Sequence, residues 1–166
     1  MSLSSTQSDQ PSPPGATPAR VLRQFRVVFN AVKTHFRQVE QSAGLGGAQV
    51  WALSVIRDQP GIGVKELART LDIKQSTASN LVRGLLERGM VATLRDGPDR
   101  RTVALHVQDA GAQVLARAPA PFAGVLPDAL SGLDPAILAR LEADLGTLIS
   151  LLDADADAGS VPLADL

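Results

Sequence analysis

Residues 64–107 decide the fold, and they are VKELARTLDIKQSTASNLVRGLLERGMVATLRDGPDRRTVALHV. The first part carries apolar residues at helical spacing, namely Val64, Leu67, Ala68 and Leu71. A second set follows at positions i, i+3, i+4 and i+7, namely Ala78, Leu81, Val82 and Leu85. Residues 72–75 between them suffice only for a tight turn, which sets the two helices at a steep angle. The pattern predicts a helix-turn-helix.

Two segments with strand periodicity come next. Residues 91–95 and 102–107 alternate apolar and polar side chains. Residues 96–101 between them contain turn formers and the adjacent pair Arg100 and Arg101. We therefore predict a hairpin, and the whole unit becomes a winged helix: a mainly α fold with a small β-hairpin wing.

The exposed face of the second helix suggests a partner. On a helical projection Ser76, Asn80, Arg83 and Glu87 fall on one line opposite the buried leucines, with Ser79 beside it. Hydroxyls, an amide and an arginine near a helix N-terminus suit entry into a DNA major groove. The same residue types also form ordinary solvated faces, and helix-turn-helix units also contact proteins, so this face alone leaves both partners open.

The tip of the hairpin favours DNA. A solvated loop tip needs polar side chains, but it does not need arginine. Two guanidinium groups on a projecting hairpin are well placed for the phosphate backbone or a narrow minor groove. Helix face and basic tip together predict DNA binding over the ordinary solvated surface.

These residues resemble the winged helix of the MarR family of bacterial transcription regulators. The matching elements are Leu67-Ala68, the S-T-x-S opening of the second helix, L-x-E-R-G-x-V over residues 85–91, the D-x-R wing signature at Asp99 and Arg101, and Gly111. The chain departs from the family at Val107-Gln108, where Leu-Thr is usual, so the following helix has a weaker cap. The resemblance covers residues 18–152, and its specific part is the combination of these elements.

The resemblance implies roles for individual residues. In the family the second helix is the recognition helix, which assigns to the major groove Ser76, Thr77, Ser79, Asn80 and Arg83. Arg101, oriented by Asp99, is expected in the flanking minor groove, and Arg100 and Lys74 are expected to hold phosphates. The resemblance also implies a homodimer that binds a palindromic double-stranded operator, commonly as a repressor.

Composition limits the class of protein. The 166 residues are 45% hydrophobic and 20% charged, with four Phe, one Trp and no Tyr, so we expect one globular unit with an aliphatic core. The absence of cysteine excludes disulfides and thiol-based redox sensing by this chain. No apolar run is long enough to span a membrane and no signal pattern is evident, so we expect a soluble cytoplasmic protein without a membrane partner.

Charge is unevenly distributed along the chain. Residues 1–64 hold six basic and three acidic groups, residues 65–101 hold eight and five, and residues 102–166 hold two and nine. The cations therefore lie in the first two segments and the anions in the last. This separation keeps a DNA-facing surface positive although the net charge is −1.

Helices flank the winged helix on both sides. Thr17-Pro18 is a helix-start signal, and it precedes an a/d repeat formed by Leu22, Phe25, Phe29, Val32, Phe36 and Val39. Asp134-Pro135 repeats the signal before Leu138, Leu141, Leu145, Leu148 and Leu152. We expect the first and last helices to form a homodimer interface. The predicted divisions are a disordered extension (1–16), the N-terminal dimerisation helix with a second helix (17–60), the winged helix (61–107), C-terminal dimerisation helices (108–153) and an acidic frayed tail (154–166).

A small-molecule effector is a further expectation. Many MarR relatives respond to small anionic aromatic molecules, and the crevice between the dimer arms and the winged helix would here be bordered by Phe29, Lys33, His35 and Trp51. Taken singly, each of these residues is better explained as a core or helix-packing residue than as a ligand contact. No cofactor and no metal site are expected, since there are two histidines and no ligand cluster.

Two alternatives to a DNA-binding regulator were considered. An enzyme is excluded by the lack of a phosphate loop, a nucleophile motif or a carboxylate constellation. A winged-helix module that binds a protein partner instead of DNA stays open.

Overall fold

The computed structural model describes residues 15–94 and 103–165 of the chain. This part is mainly helical, with one antiparallel hairpin. The elements are α1 (Pro18–Ala43), α2 (Gly47–Asp58), α3 (Val64–Thr70), α4 (Gln75–Glu87), β1 (Val91–Leu94), β2 (Ala104–Val107), α5 (Asp109–Arg117), α6 (Val125–Ser131) and α7 (Pro135–Leu151), followed by 3-10 turns at Ala156–Ser160 and Leu163–Asp165.

Helix α1 begins and ends at the residues expected from the sequence. The Thr17 side chain accepts a hydrogen bond from the Arg20 amide at 3.3 Å, and Pro18 occupies the first turn. Gly44 ends the helix with φ 70°, a left-handed conformation that costs glycine little. The long first helix predicted from the a/d repeat is therefore confirmed.

Helix α2 lies at the centre of the core. Val50, Ala52, Leu53 and Ile56 are all fully buried. The helix packs against α1, α3, α4, α5 and β2, so it joins the winged helix to the flanking helices. Trp51 and Val55 are partly buried at the edge of this core.

The helix-turn-helix has the predicted faces. In α3 Leu67 and Ala68 are buried, and Leu71 is buried directly after the helix. In α4 the buried residues are Ala78, Leu81, Val82 and Leu85. The turn between the helices bends at Asp72, whose φ is 53°; aspartate tolerates this left-handed conformation better than most residues.

The wing is a two-stranded sheet in the described residues. Strands β1 and β2 pair in antiparallel register, from Val91 opposite Val107 to Leu94 opposite Ala104. Residues 61–63 lie beside β2 and form two backbone hydrogen bonds with Leu105: the Gly61 amide donates to the Leu105 carbonyl at 2.9 Å, and the Leu105 amide donates to the Ile62 carbonyl at 3.0 Å. Three residues with two glycines align beside β2 without forming a regular strand.

The C-terminal helices are separated by prolines. Helix α5 begins after Gln108 without a side-chain cap, and it ends at Arg117, before Pro119 and Pro121, whose missing amides cannot continue a helix. Helix α7 starts at Pro135, where the Asp134 carboxylate accepts from the Ala136 amide at 2.8 Å. The helix start predicted at Asp134-Pro135 is confirmed.

The C-terminal tail differs from the expected frayed segment. Two 3-10 turns follow α7, and Pro162 between them is buried. The second turn packs against α1 and α2, and Ala164 contacts the hydrophobic core. Small apolar residues among the aspartates fit against the core, a packing that the acidic composition does not reveal. Of the expected N-terminal extension, residues 1–14 lie outside the described part of the chain.

Candidate nucleic-acid interface and adjoining cavities

Helix α4 turns a polar face to solvent. Its buried residues dock it on α2 and α3, and this fixes the opposite face outward. Ser76, Asn80 and Arg83 are exposed on that face, whereas Thr77 and Ser79 are half-buried at its margins. The five residues assigned to a major groove thus belong to one helix end and its exposed side, a shape that fits a groove.

Ser79 differs from its neighbours in its hydrogen bonding. Its hydroxyl donates to the Gln75 carbonyl one turn earlier at 2.8 Å. The oxygen can still accept a hydrogen bond, but the proton is already used within the helix. Of the hydroxyl groups on this face, that of Ser76 is the better candidate donor to a base or a phosphate.

Lys74 lies directly before α4 and is the residue that caps it. Its carbonyl accepts from the Ala78 amide at 3.1 Å, while its ammonium group forms an ion pair with Asp157 of the tail at 3.0 Å. Lys74, which the sequence predicts to hold a phosphate, therefore lies beside the exposed face of α4. The Asp157 carboxylate already contacts its ammonium group.

The wing-tip residues of the prediction are Asp99, Arg100 and Arg101. They lie outside the described residues, so their assignment stays a prediction from the sequence. Among the described residues, Leu94 opposite Ala104 is the strand pair nearest to this segment.

One open cavity lies along α1 beside the start of α2. It has a volume of about 510 Å³. Its walls include two of the four residues predicted to border an effector crevice, Phe29 and Lys33, together with Phe36, Arg37 and Leu163. An aromatic wall beside two cations is suited to an anionic aromatic molecule, and Glu40 is the carboxylate that also lines the cavity.

A second cavity, of about 390 Å³, lies between α1, α2, the turn before α4 and the tail. Trp51 lines this second cavity rather than the first, alongside Phe36 and Ile73. The structure therefore does not bring Trp51 into one pocket with Phe29 and Lys33, although Phe36 borders both cavities.

His35 has a structural environment. It is buried on α1, its Nε2 lies 3.1 Å from the Pro121 carbonyl oxygen, and its ring meets that of Phe36 edge to face. It is not among the residues that line either cavity. This contact ties α1 to the segment before α6.

Sequence reasoning missed Arg37 and Asp157. Arg37 follows Lys33 by four residues, which places both cations on one side of α1, and this spacing could have identified it. Asp157 had no such signal, because 83 residues separate it from Lys74.

Apolar side chains remain exposed on the first and last helices. In the N-terminal half of α1 they include Leu22 and Phe29, which are 50% and 61% exposed. None of the residues of α7 is buried by the described part of the chain, and its exposed apolar residues are Ile137, Leu138, Leu148, Ile149 and Leu151. Apolar faces of this extent mark surfaces that bind a partner.

Residues 15–94 and 103–165 contain neither a membrane-spanning helix nor a metal-binding cluster. No helix there is both long and apolar enough to cross a bilayer. No group of three or more His, Asp or Glu side chains in the same ranges is arranged to hold a metal ion.

Comparison with known proteins links this geometry to a family. Residues 43–102 match the model of the MarR family. Over 123 residues the chain is 31% identical to a protein proposed as the transcriptional regulatory protein for the hcr operon of Thauera aromatica, covering 74% of this chain and 69% of that protein.

Solved structures share the fold. A crystal structure of a MepR-like protein complexed with pseudoligands matches with a TM-score of 0.55 and 17% identity, over 81% of this chain and 95% of that one. The S. aureus MepR–DNA complex matches with a TM-score of 0.54 and 20% identity, over 82% and 96%. At these identities the likeness concerns the fold alone.

Proposed function

Because the chain belongs to the MarR family of transcription regulators, we propose that it acts as a homodimer that binds a palindromic DNA operator and represses the adjacent genes. The family and the curated relative are regulators of transcription rather than enzymes. The proposal concerns the residues that contact DNA, the interface that pairs two copies, and the small molecule that releases them.

The exposed face of α4 is the observation that carries DNA binding. Four buried residues hold the other side of the helix, so Ser76, Asn80 and Arg83 are exposed, and their side chains form no hydrogen bond or ion pair within residues 15–94 and 103–165. An arginine and an amide on such a face can each form paired hydrogen bonds with a purine edge. Lys74 before the helix would supply charge for a phosphate, and Arg100 and Arg101, assigned from the sequence alone, would supply it for the phosphates and the minor groove.

Dimerisation follows from the uncovered helices. No residue of the 17-residue helix α7 is buried by the described part of its own chain, so its apolar face needs a partner to cover it. The N-terminal half of α1 has the same requirement. A two-fold interface formed by both helices meets it and presents two copies of α4 to half-sites about one helical turn of DNA apart.

An effector site is proposed in the cavity along α1. Lys33 and Arg37 would hold a carboxylate, and Phe29 and Phe36 would contact an aromatic ring. The cavity is formed by α1, which we assign to the dimer interface, and by the start of α2, which packs on α4. A ligand that favours one spacing of these elements would change the separation of the two recognition helices.

The DNA assignment is tested with Arg83→Ala. Fragments bound by the wild-type protein are selected from genomic DNA, and affinity for the selected site is compared between variants. Loss of a base contact should weaken binding by about 1–3 kcal/mol and relax the base preference at one position of each half-site. Arg117→Ala is the matched control, because it removes the same charge from the end of α5, away from the recognition face.

Three outcomes separate the hypotheses. Equal affinity and preference in wild type and Arg83→Ala would show that this face does not contact bases. Equal losses in Arg83→Ala and Arg117→Ala would point to overall charge instead of a local contact. Failure of the wild-type protein to retard any DNA at about 50 mM salt, where electrostatic binding is strong, would favour the protein-interaction module.

A further inference from the structure

We propose that the C-terminal tail, residues 153–165, is an autoinhibitory segment that competes with DNA phosphates for Lys74. The proposal rests on the DNA-binding function proposed above and adds a regulation of the same surface. It starts from the ion pair between Lys74 Nζ and Asp157 Oδ2 at 3.0 Å.

Apolar contacts attach the tail to the body of the protein. Pro162 is buried, and the second 3-10 turn packs against α1 and α2. Ala164 lies close to the start of α2. A Cβ added at Gly47 would lie only 3.0 Å from the Cβ of Ala164. The end of the chain is therefore fixed in place a few residues after Asp157.

Hydrogen bonds within the first 3-10 turn fix the position of Asp157 itself. Its amide donates to the Asp155 carboxylate at 2.9 Å, and its carbonyl accepts from the Ser160 hydroxyl at 2.7 Å. With the turn formed and its far end anchored, the Asp157 carboxylate is held beside Lys74 at a high effective concentration.

The position of Lys74 gives this contact its consequence. Lys74 is the N-cap residue of α4. Its ammonium group is close to the position that a DNA phosphate would take if α4 were inserted in a major groove. While Asp157 holds the ammonium group, a phosphate must displace a carboxylate to bind it. The tail also places four aspartates and no lysine or arginine in this part of the chain, which lowers the positive potential that attracts DNA.

The ion pair is suited to competition rather than to stabilising the fold. The Lys74 and Asp157 side chains are 50% and 73% exposed, and ion pairs with this exposure contribute little net stability. They are also screened by salt and exchange readily with other anions. A polyanion such as DNA can therefore open the contact, at a cost in affinity.

The test measures binding to a random-sequence DNA duplex by fluorescence anisotropy over a range of salt concentrations. Asp157→Asn and a chain that ends at Leu152 are compared with the wild type. Both should bind about two- to fivefold more tightly at low salt, the size expected when an exposed ion pair no longer competes. The slope of log affinity against log salt should steepen by up to about 0.9, because one more cation is available to phosphates.

Two controls separate a specific contact from general charge. Asp153→Asn removes the same charge from the tail at a residue without an ion pair among the described residues, and asparagine accepts its φ of 47°. It should change affinity less than Asp157→Asn does. In a Lys74→Gln background, Asp157→Asn should change affinity no more than Asp153→Asn does.

The outcomes decide the proposal even if the shortened chain folds poorly, since Asp157→Asn keeps the anchoring residues. Equal binding by wild type and Asp157→Asn would overturn the inhibitory role and leave the DNA-binding function intact. An effect of Asp157→Asn that persists at full size in Lys74→Gln would overturn the competition for Lys74. Failure of the wild type and every variant to bind DNA would contradict the proposed function, and the inhibitory role with it.

Discussion

Gly111 of α5 lies directly against the carbonyl group of Met90. A Cβ at Gly111 would collide with that oxygen and would also lie 3.0 Å from Val107 Cγ1 and 3.1 Å from Leu53 Cδ1. The same carbonyl accepts a hydrogen bond from the Gln108 amide at 2.9 Å, so it cannot turn away freely. The glycine lets α5 pack between the wing and α2.

Gly111→Ala should therefore destabilise the protein. Crowding in a packed region costs about 1–3 kcal/mol, which lowers the midpoint of thermal unfolding by several degrees in a chain of this length. The midpoint is measured by circular dichroism. Gly159→Ala is the control, because a Cβ there meets no atom within 4 Å. Equal midpoints for Gly111→Ala and wild type would mean that α5 can shift to admit the methyl group.

Leu148→Glu should weaken the dimer. The side chain is exposed on α7 in the single chain, and in the proposed interface it would become an uncompensated buried charge. We expect the dimer dissociation constant, measured by sedimentation, to rise by about tenfold or more, which corresponds to about 1.4 kcal/mol.

Ser150→Glu is the control for that change, since it adds the same charge to the same helix. Ser150 is about 200° of helical rotation from Leu148 and therefore lies on the opposite side of α7. It should leave the dissociation constant nearly unchanged. A dimer that tolerates both substitutions equally would exclude this face of α7 as the interface.

An aromatic carboxylate should stabilise the protein through Arg37. Benzoate is the probe, and at about a hundredfold excess over its dissociation constant a ligand of the native state adds about 2.7 kcal/mol. The unfolding midpoint should rise with benzoate in the wild type and rise much less in Arg37→Gln, which loses a cation of the cavity wall.

Arg23→Gln is the matched control, because Arg23 is a cation on α1 that is not among the residues lining the cavity. A benzoate shift that Arg37→Gln retains in full would place the binding elsewhere. The absence of any shift in the wild type would remove benzoate-like acids from the candidates.

Asp165→Asn should stabilise the protein at neutral pH. Partial burial raises the pKa of the Asp165 carboxyl above its ordinary value of 3.8, so the folded state binds the proton more tightly than the unfolded chain. The contribution of this carboxyl to the stability of the fold is thus fully present below pH 3.8. It is lost as the pH rises from there through the raised pKa of the folded state.

The Asp165→Asn variant has no carboxyl to ionise, so it does not lose this stability as the pH rises. Its unfolding midpoint should exceed that of the wild type at about pH 7, and the difference should disappear at about pH 3, where the wild-type carboxyl is protonated in both states. Asp153→Asn serves as the exposed control. A difference that stays constant across this range would show that the carboxyl charge is not its cause.

Local periodicity predicted most of the fold because the buried residues of each element recur at regular spacings of a few positions. The spacing of Leu81 and Leu85 on α4, the cap at Thr17 and the cap at Asp134 all depend on neighbours at most four positions away. The same logic predicted the polar face with Ser76, Asn80 and Arg83, since a buried face determines the exposed one.

The sequence predicted that four residues border one effector crevice, and only two of them line the same cavity. Phe29 and Lys33 do line one cavity, because residues four apart on α1 share a side. Trp51 borders the other cavity and His35 packs against Pro121, since their surroundings come from α6 and the segments before it and not from α1 or α2 alone.

The sequence by itself determined the winged helix, its family and the division of charge along the chain, all of which are local or additive properties. Only the tertiary structure decided that the acidic tail returns to the core and that Asp157 contacts Lys74. The physical reason is that this contact depends on Pro162 and Ala164 fitting against α1 and α2. Packing between segments so distant in the chain leaves no periodic trace in the sequence.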